Sequence, residues 1–164
     1  MCFCLLIGVG QNPTIAATLT EAESISQERM QTLLEPRNLE SGVERFLTSI
    51  PVGYYTIASV EELKSLLKKS QPMLVDVREA SEYRSGHIPN AINIPLRTLS
   101  QNLDQIPRDA YGGLRLRPVV LYCSSGYRSA MGVMTLHLLG YENVQGFPPS
   151  FAGWKNAKEA IASR

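Results

Sequence analysis

Val119-Val120-Leu121-Tyr122 is an apolar run that ends on Cys123 and passes through Ser124-Ser125-Gly126-Tyr127 to Arg128 and a longer apolar stretch. A short unbroken run of Val, Leu and Tyr suits a strand buried on both faces of a parallel sheet. In open α/β sheets, ligands bind beyond the carboxyl ends of such strands. From Arg128 onward, Ala130, Val133, Met134, Leu136, His137, Leu138 and Leu139 read as a mostly apolar helix stopped by Gly140. Cys123 therefore stands where a strand gives way, over a short loop, to a helix N-terminus. Loop N–H groups from Ser124 to Arg128 that turn inward form a cradle of partial positive charge, which holds an anion and favours thiolate at Cys123. Arg128 adds a full positive charge. The competing assignment is a buried structural cysteine, since free Cys is among the most buried residue types. Ser, Ser, Gly and Arg are poor core packing, which favours a reactive thiol.

The same alternation runs through the chain from Tyr54. Tyr54 to Ile57 reads as a strand, and Ser59 as an N-cap with Glu62 three residues on. Val60, Leu63, Leu66 and Leu67 then give a helical face. Met73 to Val77 is a strand, Glu79 to Arg84 a short helix, Ala91 to Ile94 a strand and Leu96 to Leu103 a helix. After Val119 to Tyr122 and the Arg128 to Leu139 helix come an edge-like strand at Asn143 to Gln145 and a terminal helix from about Ala152 to Ala162. Strands alternating with helices indicate an α/β fold with a mainly parallel central sheet.

The chain of 164 residues, 44% hydrophobic, is long enough to bury one core. Sixteen basic against 15 acidic residues, with no Lys/Arg block and no aromatic-basic interleaving, argue against a nucleic-acid partner. Residues 1–20 form a leader-like stretch or tail. Cys2 to Val9 is apolar, but too short for a spanning helix of about 20 residues. Ala16-Ala17-Thr18 is a small-residue run of the kind found near signal cleavage sites, yet no Lys or Arg precedes Arg29. Export beyond the cytoplasm and a disordered or docked tail on a cytoplasmic protein are both open. Cleavage of a leader would remove Cys2 and Cys4 and leave Cys123 as the one thiol. Cys2-x-Cys4 has no second pair of Cys or His at a zinc-like spacing, so no metal is assigned.

Residues 21–52 read as a helical spacer. Ile25, Met30, Leu33 and Leu34, then Val43, Phe46, Leu47 and Ile50, give stripes for two short helices separated by the breakers Pro36 and Gly42. Nothing there repeats the later motifs, which excludes two tandem copies within this chain.

Met73-Leu-Val-Asp76-Val77-Arg78-Glu79, Tyr83, Gly86-His87-Ile88-Pro89-Asn90-Ala91-Ile92-Asn93-Ile94-Pro95, Cys123-Ser-Ser-Gly-Tyr-Arg128-Ser129, Leu139-Gly140-Tyr141-Glu-Asn143-Val144 and Trp154 stand in an order that resembles a rhodanese domain. The match extends from about Tyr54 to Ala162, and residues 53–164 are assigned to that domain. The resemblance implies helices on both faces of the sheet and sulfurtransferase activity without a cofactor, with Cys123 as catalytic residue carrying sulfane sulfur. By the same resemblance Ser124, Ser125, Gly126, Tyr127 and Arg128 would form the substrate-binding loop. A small-molecule donor such as thiosulfate would supply sulfur to a thiol, cyanide or protein acceptor. A non-turnover binding or redox-sensing module built on the same thiol is the alternative. Four residues separate Cys123 from Arg128, one fewer than in cysteine phosphatases and arsenate reductases, which disfavours those activities.

Other residues carry structural expectations. Asp76 and Arg78 read as a buried polar link, the Gly86-His87-Ile88-Pro89 element as a turn, and Trp154 as an anchor for the terminal helix. Glu82 stands where two-domain thiosulfate-specialised relatives often place an arginine, and an acid there weakens attraction for a dianion. Phe147-Pro148-Pro149-Ser150 replaces the usual Gly-Gly turn. Proline fixes φ near −65°, so a backbone without positive φ is expected there, with Phe147 and Phe151 shaping an apolar rim.

Overall fold

A computed structural model describes residues 36–50, 53–55, 57–107 and 117–163, with side chains from residue 39 on. The leader-like stretch, Cys2, Cys4 and the stripe Ile25, Met30, Leu33 and Leu34 lie outside the described residues. In chain order the helices and strands are α1 (Pro36–Thr48), α2 (Val60–Ser70), β1 (Met73–Asp76), α3 (Ala80–Ser85), β2 (Ile92–Asn93), β3 (Val119–Tyr122), α4 (Tyr127–Leu138), β4 (Val144–Gly146) and α5 (Ser150–Asn156). Two 3₁₀ stretches, Leu96–Gln101 and Leu103–Gln105, follow β2. Phe46–Arg164 forms one compact unit, which contains the candidate site.

The four strands pair in parallel in the order β2-β1-β3-β4. Val75 lies opposite Ile92 on one side and Leu121 on the other. Side chains alternate between faces of a strand, and both faces are covered. Val75, Val119 and Leu121 pack with Val133 and Leu136 of α4 and with Leu99 and Ile106. Leu74, Val120 and Tyr122 pack with Leu63 of α2 and Trp154 of α5. All four residues of β3 are buried for this reason, and that is why the sequence shows an unbroken apolar run rather than an alternating one.

Connections after β1 lead to one side of the sheet and those after β3 to the other. The order reverses between these two strands, so a crevice opens at their carboxyl ends. Cys123 follows β3, and the segment leading to α3 follows β1; the two meet there.

Local signals place most elements. The Ser59 hydroxyl accepts the Glu62 N–H at 3.1 Å, and the Glu62 carboxylate accepts the Ala58 N–H at 2.8 Å, fixing the start of α2. Asp76 and Arg78 form a buried bidentate pair, and Arg78 also donates to the Gly86 carbonyl at 2.7 Å. His87 is buried, stacks on Tyr83 with ring centroids 3.7 Å apart, and donates from Nδ1 to the Tyr83 carbonyl at 2.9 Å. Trp154 donates its indole N–H to the Ala160 carbonyl at 2.8 Å.

Several expected elements differ. Gly53 to Tyr55 form a turn rather than the start of a strand at Tyr54 to Ile57. Tyr54 packs on Phe46 and His137 instead of pairing with the sheet. Gly42 does not divide the spacer, because α1 runs through it from Pro36. A β-carbon at Gly42 would meet nothing within 4 Å, and a single Gly costs a helix only about 1 kcal/mol.

The Leu96 to Leu103 helix is two 3₁₀ stretches broken at Asn102, whose side-chain amide donates to the Thr98 carbonyl at 2.7 Å. The terminal helix stops at Asn156, with Lys158 at φ 56°. The returning chain offers Ala160 to Trp154, and Ala162 pairs with His87. No helix among the described residues is long and apolar enough to cross a membrane.

Candidate active site

β3 delivers Cys123 to the crevice, where the residue is only 1% exposed. The carbonyl groups of Cys123 and Ser124 accept the N–H groups of Phe151 and Ala152 at the start of α5, at 2.9 and 3.0 Å. With the carbonyls drawn outward, the following N–H groups face the sulfur. The Gly126 N–H donates to Cys123 Sγ at 3.1 Å, and the Ser129 hydroxyl lies 3.7 Å from it. Gly126 sits at φ 97°, a left-handed conformation that favours glycine. A β-carbon there would come within 2.9 Å of the Pro148 carbonyl oxygen.

Burial pushes the Cys123 thiol up, but the N–H groups of Ser129, Ser125 and Gly126 and the Ser129 hydroxyl outweigh it, and the net effect is a thiol held below its ordinary range. The N-terminus of α4 points its positive end the same way.

The expected loop residues divide by task. Ser125 and Gly126 supply N–H groups to the sulfur. Tyr127 turns its ring into solvent, 79% exposed. Ser124 and Arg128 face Glu82 of α3. Arg128 holds the Glu82 carboxylate with two nitrogens, at 2.6 and 2.8 Å, and also donates to Ser124 Oγ at 2.8 Å. Ser124 in turn donates to Glu82 at 3.0 Å. The Arg128 guanidinium, followed by the Glu79 N–H and the Ser124 hydroxyl, outweighs burial and holds the Glu82 carboxyl at about 2. The Arg128 charge is therefore neutralised at the mouth.

Three further residues reach the loop; Ser129 closes the motif that begins at Cys123, and no motif marks the other two for it. Ser129, the residue after Arg128, is fully buried. Ser150 accepts the Cys123 N–H at 3.2 Å and donates to the Phe147 carbonyl at 2.9 Å. Tyr55 donates its hydroxyl to the Gly126 carbonyl and lies 3.0 Å from Ser129 Oγ. A small hydroxyl residue directly after two prolines was the available signal for Ser150.

That position also corrects the expected backbone. Ser150 takes φ 53°, so the chain does enter positive φ directly after Pro148-Pro149. Phe147 does not line a rim but is fully buried in the core. Phe151 lies under the Arg78 guanidinium, 4.2 Å from its ring centroid.

The family model described as "Rhodanese-like domain" matches residues 59–157, from the N-cap of α2 to the end of α5. The chain belongs to the rhodanese-like domain family. Tyr54 and Tyr55 precede the matched residues. The chain is 34% identical over 104 residues to a thiosulfate:glutathione sulfurtransferase of Saccharomyces cerevisiae, covering 58% of this chain and 75% of that one. It is 28% identical over 102 residues to a tRNA uridine(34) hydroxylase of Buchnera aphidicola, covering 58% of this chain but 32% of the relative. Among solved structures, a human single-domain sulfurtransferase superposes with a TM-score of 0.54 at 27% identity, covering 67% of this chain and all of that one. This rhodanese-like fold therefore occurs in relatives that differ in named activity.

Proposed function

We propose that this rhodanese-like protein is a sulfurtransferase that carries sulfane sulfur on Cys123 as a persulfide. The observation that carries the reading is the ring of donors on Cys123 Sγ, with the Gly126 N–H at 3.1 Å. Similarity to a thiosulfate:glutathione sulfurtransferase supports it.

The Cys123 thiolate attacks the outer sulfur of thiosulfate, and the bond to the central sulfur breaks with its electron pair leaving on sulfite. An acceptor thiolate then attacks the outer sulfur of the persulfide. The S–S bond breaks, the acceptor leaves as its own persulfide and the Cys123 thiolate returns. The N–H groups that hold the resting thiolate also hold the persulfide anion, so little reorganisation separates the two stages. Cyanide or a protein thiol can serve as acceptor by the same displacement.

Donor charge matters at the mouth. Glu82 neutralises Arg128, which removes the one full positive charge the loop would offer a dianion. Persulfide donors of lower charge fit this mouth better than thiosulfate does.

The test is the intact mass of the protein before and after exposure to thiosulfate and to a glutathione persulfide donor, with peptide mapping and a thiol or cyanide chase. One added sulfur on Cys123, removed by the chase and absent in Cys123→Ser, is expected. No gain from either donor would leave the thiol to a redox or binding role and overturn the reading.

A further inference from the structure

The Gly126 carbonyl is an unusually crowded acceptor. It takes the Ala130 N–H at 3.0 Å as the first hydrogen bond of α4 and the Tyr55 hydroxyl, and it also lies 2.9 Å from Ser129 Oγ. A carbonyl oxygen has two lone pairs. Once Ala130 and Tyr55 occupy them, the single Ser129 proton has less reason to turn to Gly126. Its remaining acceptors are the neutral Tyr55 hydroxyl oxygen at 3.0 Å and Cys123 Sγ at 3.7 Å, and the full charge of a thiolate draws the proton to the sulfur.

Tyr55 is held for this contact by packing rather than by local sequence. Its ring lies in space that only a glycine leaves on β4, since a β-carbon at Gly146 would collide with Cε2 and Cδ2 of Tyr55. Its hydroxyl reaches both the loop carbonyl and Ser129. A residue from the turn ahead of α2 is thus wedged between β4 and the N-terminus of α4.

We infer that Tyr55 is a positioning residue for the nucleophile: by occupying the Gly126 carbonyl it releases the Ser129 hydroxyl to donate to the Cys123 thiolate. The inference rests on the sulfur-transfer reading for its purpose, because a persulfide carrier needs the thiolate held ready. Its chemistry concerns the thiolate alone. The lowered position of the Cys123 thiol, to which the Ser129 hydroxyl contributes, agrees with it.

The test follows the pH dependence of iodoacetamide alkylation at Cys123 in the full chain. Peptide mass mapping separates this site from Cys2 and Cys4. Tyr55→Phe keeps the ring against Gly146 and removes only the hydroxyl. The alkylation midpoint is expected to rise by about half a pH unit, the scale of one modest hydrogen bond. Ser129→Ala is expected to raise it at least as far, and the double variant no further than Ser129→Ala alone, since Tyr55 acts through Ser129. A Tyr55→Phe midpoint equal to or below that of the unaltered protein would overturn the inference, as would shifts that sum in the double variant. The assay reads thiol reactivity and not sulfur gain. Even in a protein that accepts no sulfur from any donor, the midpoints therefore still show whether Tyr55 acts on the thiolate.

Discussion

Replacing Glu82 by Gln isolates the ion pair at the mouth of the site. Gln keeps the shape and an oxygen for the Glu79 N–H, which Glu82 accepts at 3.1 Å, but loses the charge that faces Arg128. The carboxyl is held at about 2 against an ordinary 4.5. At about 1.4 kcal/mol per pH unit, that difference is worth about 3 kcal/mol for a fully buried pair. The side chains are 32% and 35% exposed, and water screening reduces the expected loss at neutral pH to about 1 kcal/mol. Because the folded-state value is depressed, the contribution is complete above the ordinary carboxylate range and disappears as pH falls from about 4.5 through about 2.

Urea unfolding of the two proteins at neutral pH and at steps down this window measures it. The gap in stability is expected to close on the acid side. A gap that stays constant across the window would refute the reasoning, because a pH-independent loss has no titrating carboxylate in it. The same variant frees Arg128, and its KM for thiosulfate is expected to fall relative to a monoanionic donor.

Two further outcomes concern the scaffold. Asp76→Asn leaves the Arg78 guanidinium, 4% exposed, without its carboxylate, and is expected to lose about 3 to 5 kcal/mol in urea unfolding; a loss below about 1 kcal/mol would show that the pair is not the tie between β1 and the Gly86 turn. Gly126→Ala places a β-carbon 2.9 Å from the Pro148 carbonyl at φ 97° and is expected to lose about 1 to 3 kcal/mol. The alkylation midpoint of Cys123 is expected to rise with it, and an unchanged midpoint would mean that the Gly126 N–H does not govern the thiolate.

Much of the scaffold was written in short stretches of sequence. The run Val119 to Tyr122, the cap at Ser59 with Glu62, the small polar loop after Cys123 and the apolar helix behind it each name their own conformation, because hydrogen bonds to neighbours along the chain and burial on both faces decide it. Where a helical pattern failed, a side chain a few residues away along the chain had captured a backbone carbonyl. Asn102 captures a carbonyl and breaks the 3₁₀ stretch, while Trp154 draws Ala160 back across the end of α5.

The environment of Cys123 was decided at longer range. Cys123 and its loop were legible, but the partners that govern them lie 27 residues away at Ser150, 46 residues from Arg128 at Glu82 and 74 residues from Ser129 at Tyr55. No local period or spacing couples such positions. Only the parallel order of β1, β3 and β4 brings the α3 carboxylate, the Tyr55 hydroxyl and the Ser150 hydroxyl to one end of the sheet. The sequence determined which thiol stands at the end of which strand. The tertiary structure decided how much positive charge faces that thiol and its mouth, since hydrogen bonds and ion pairs act over a few ångströms, whatever the separation along the chain.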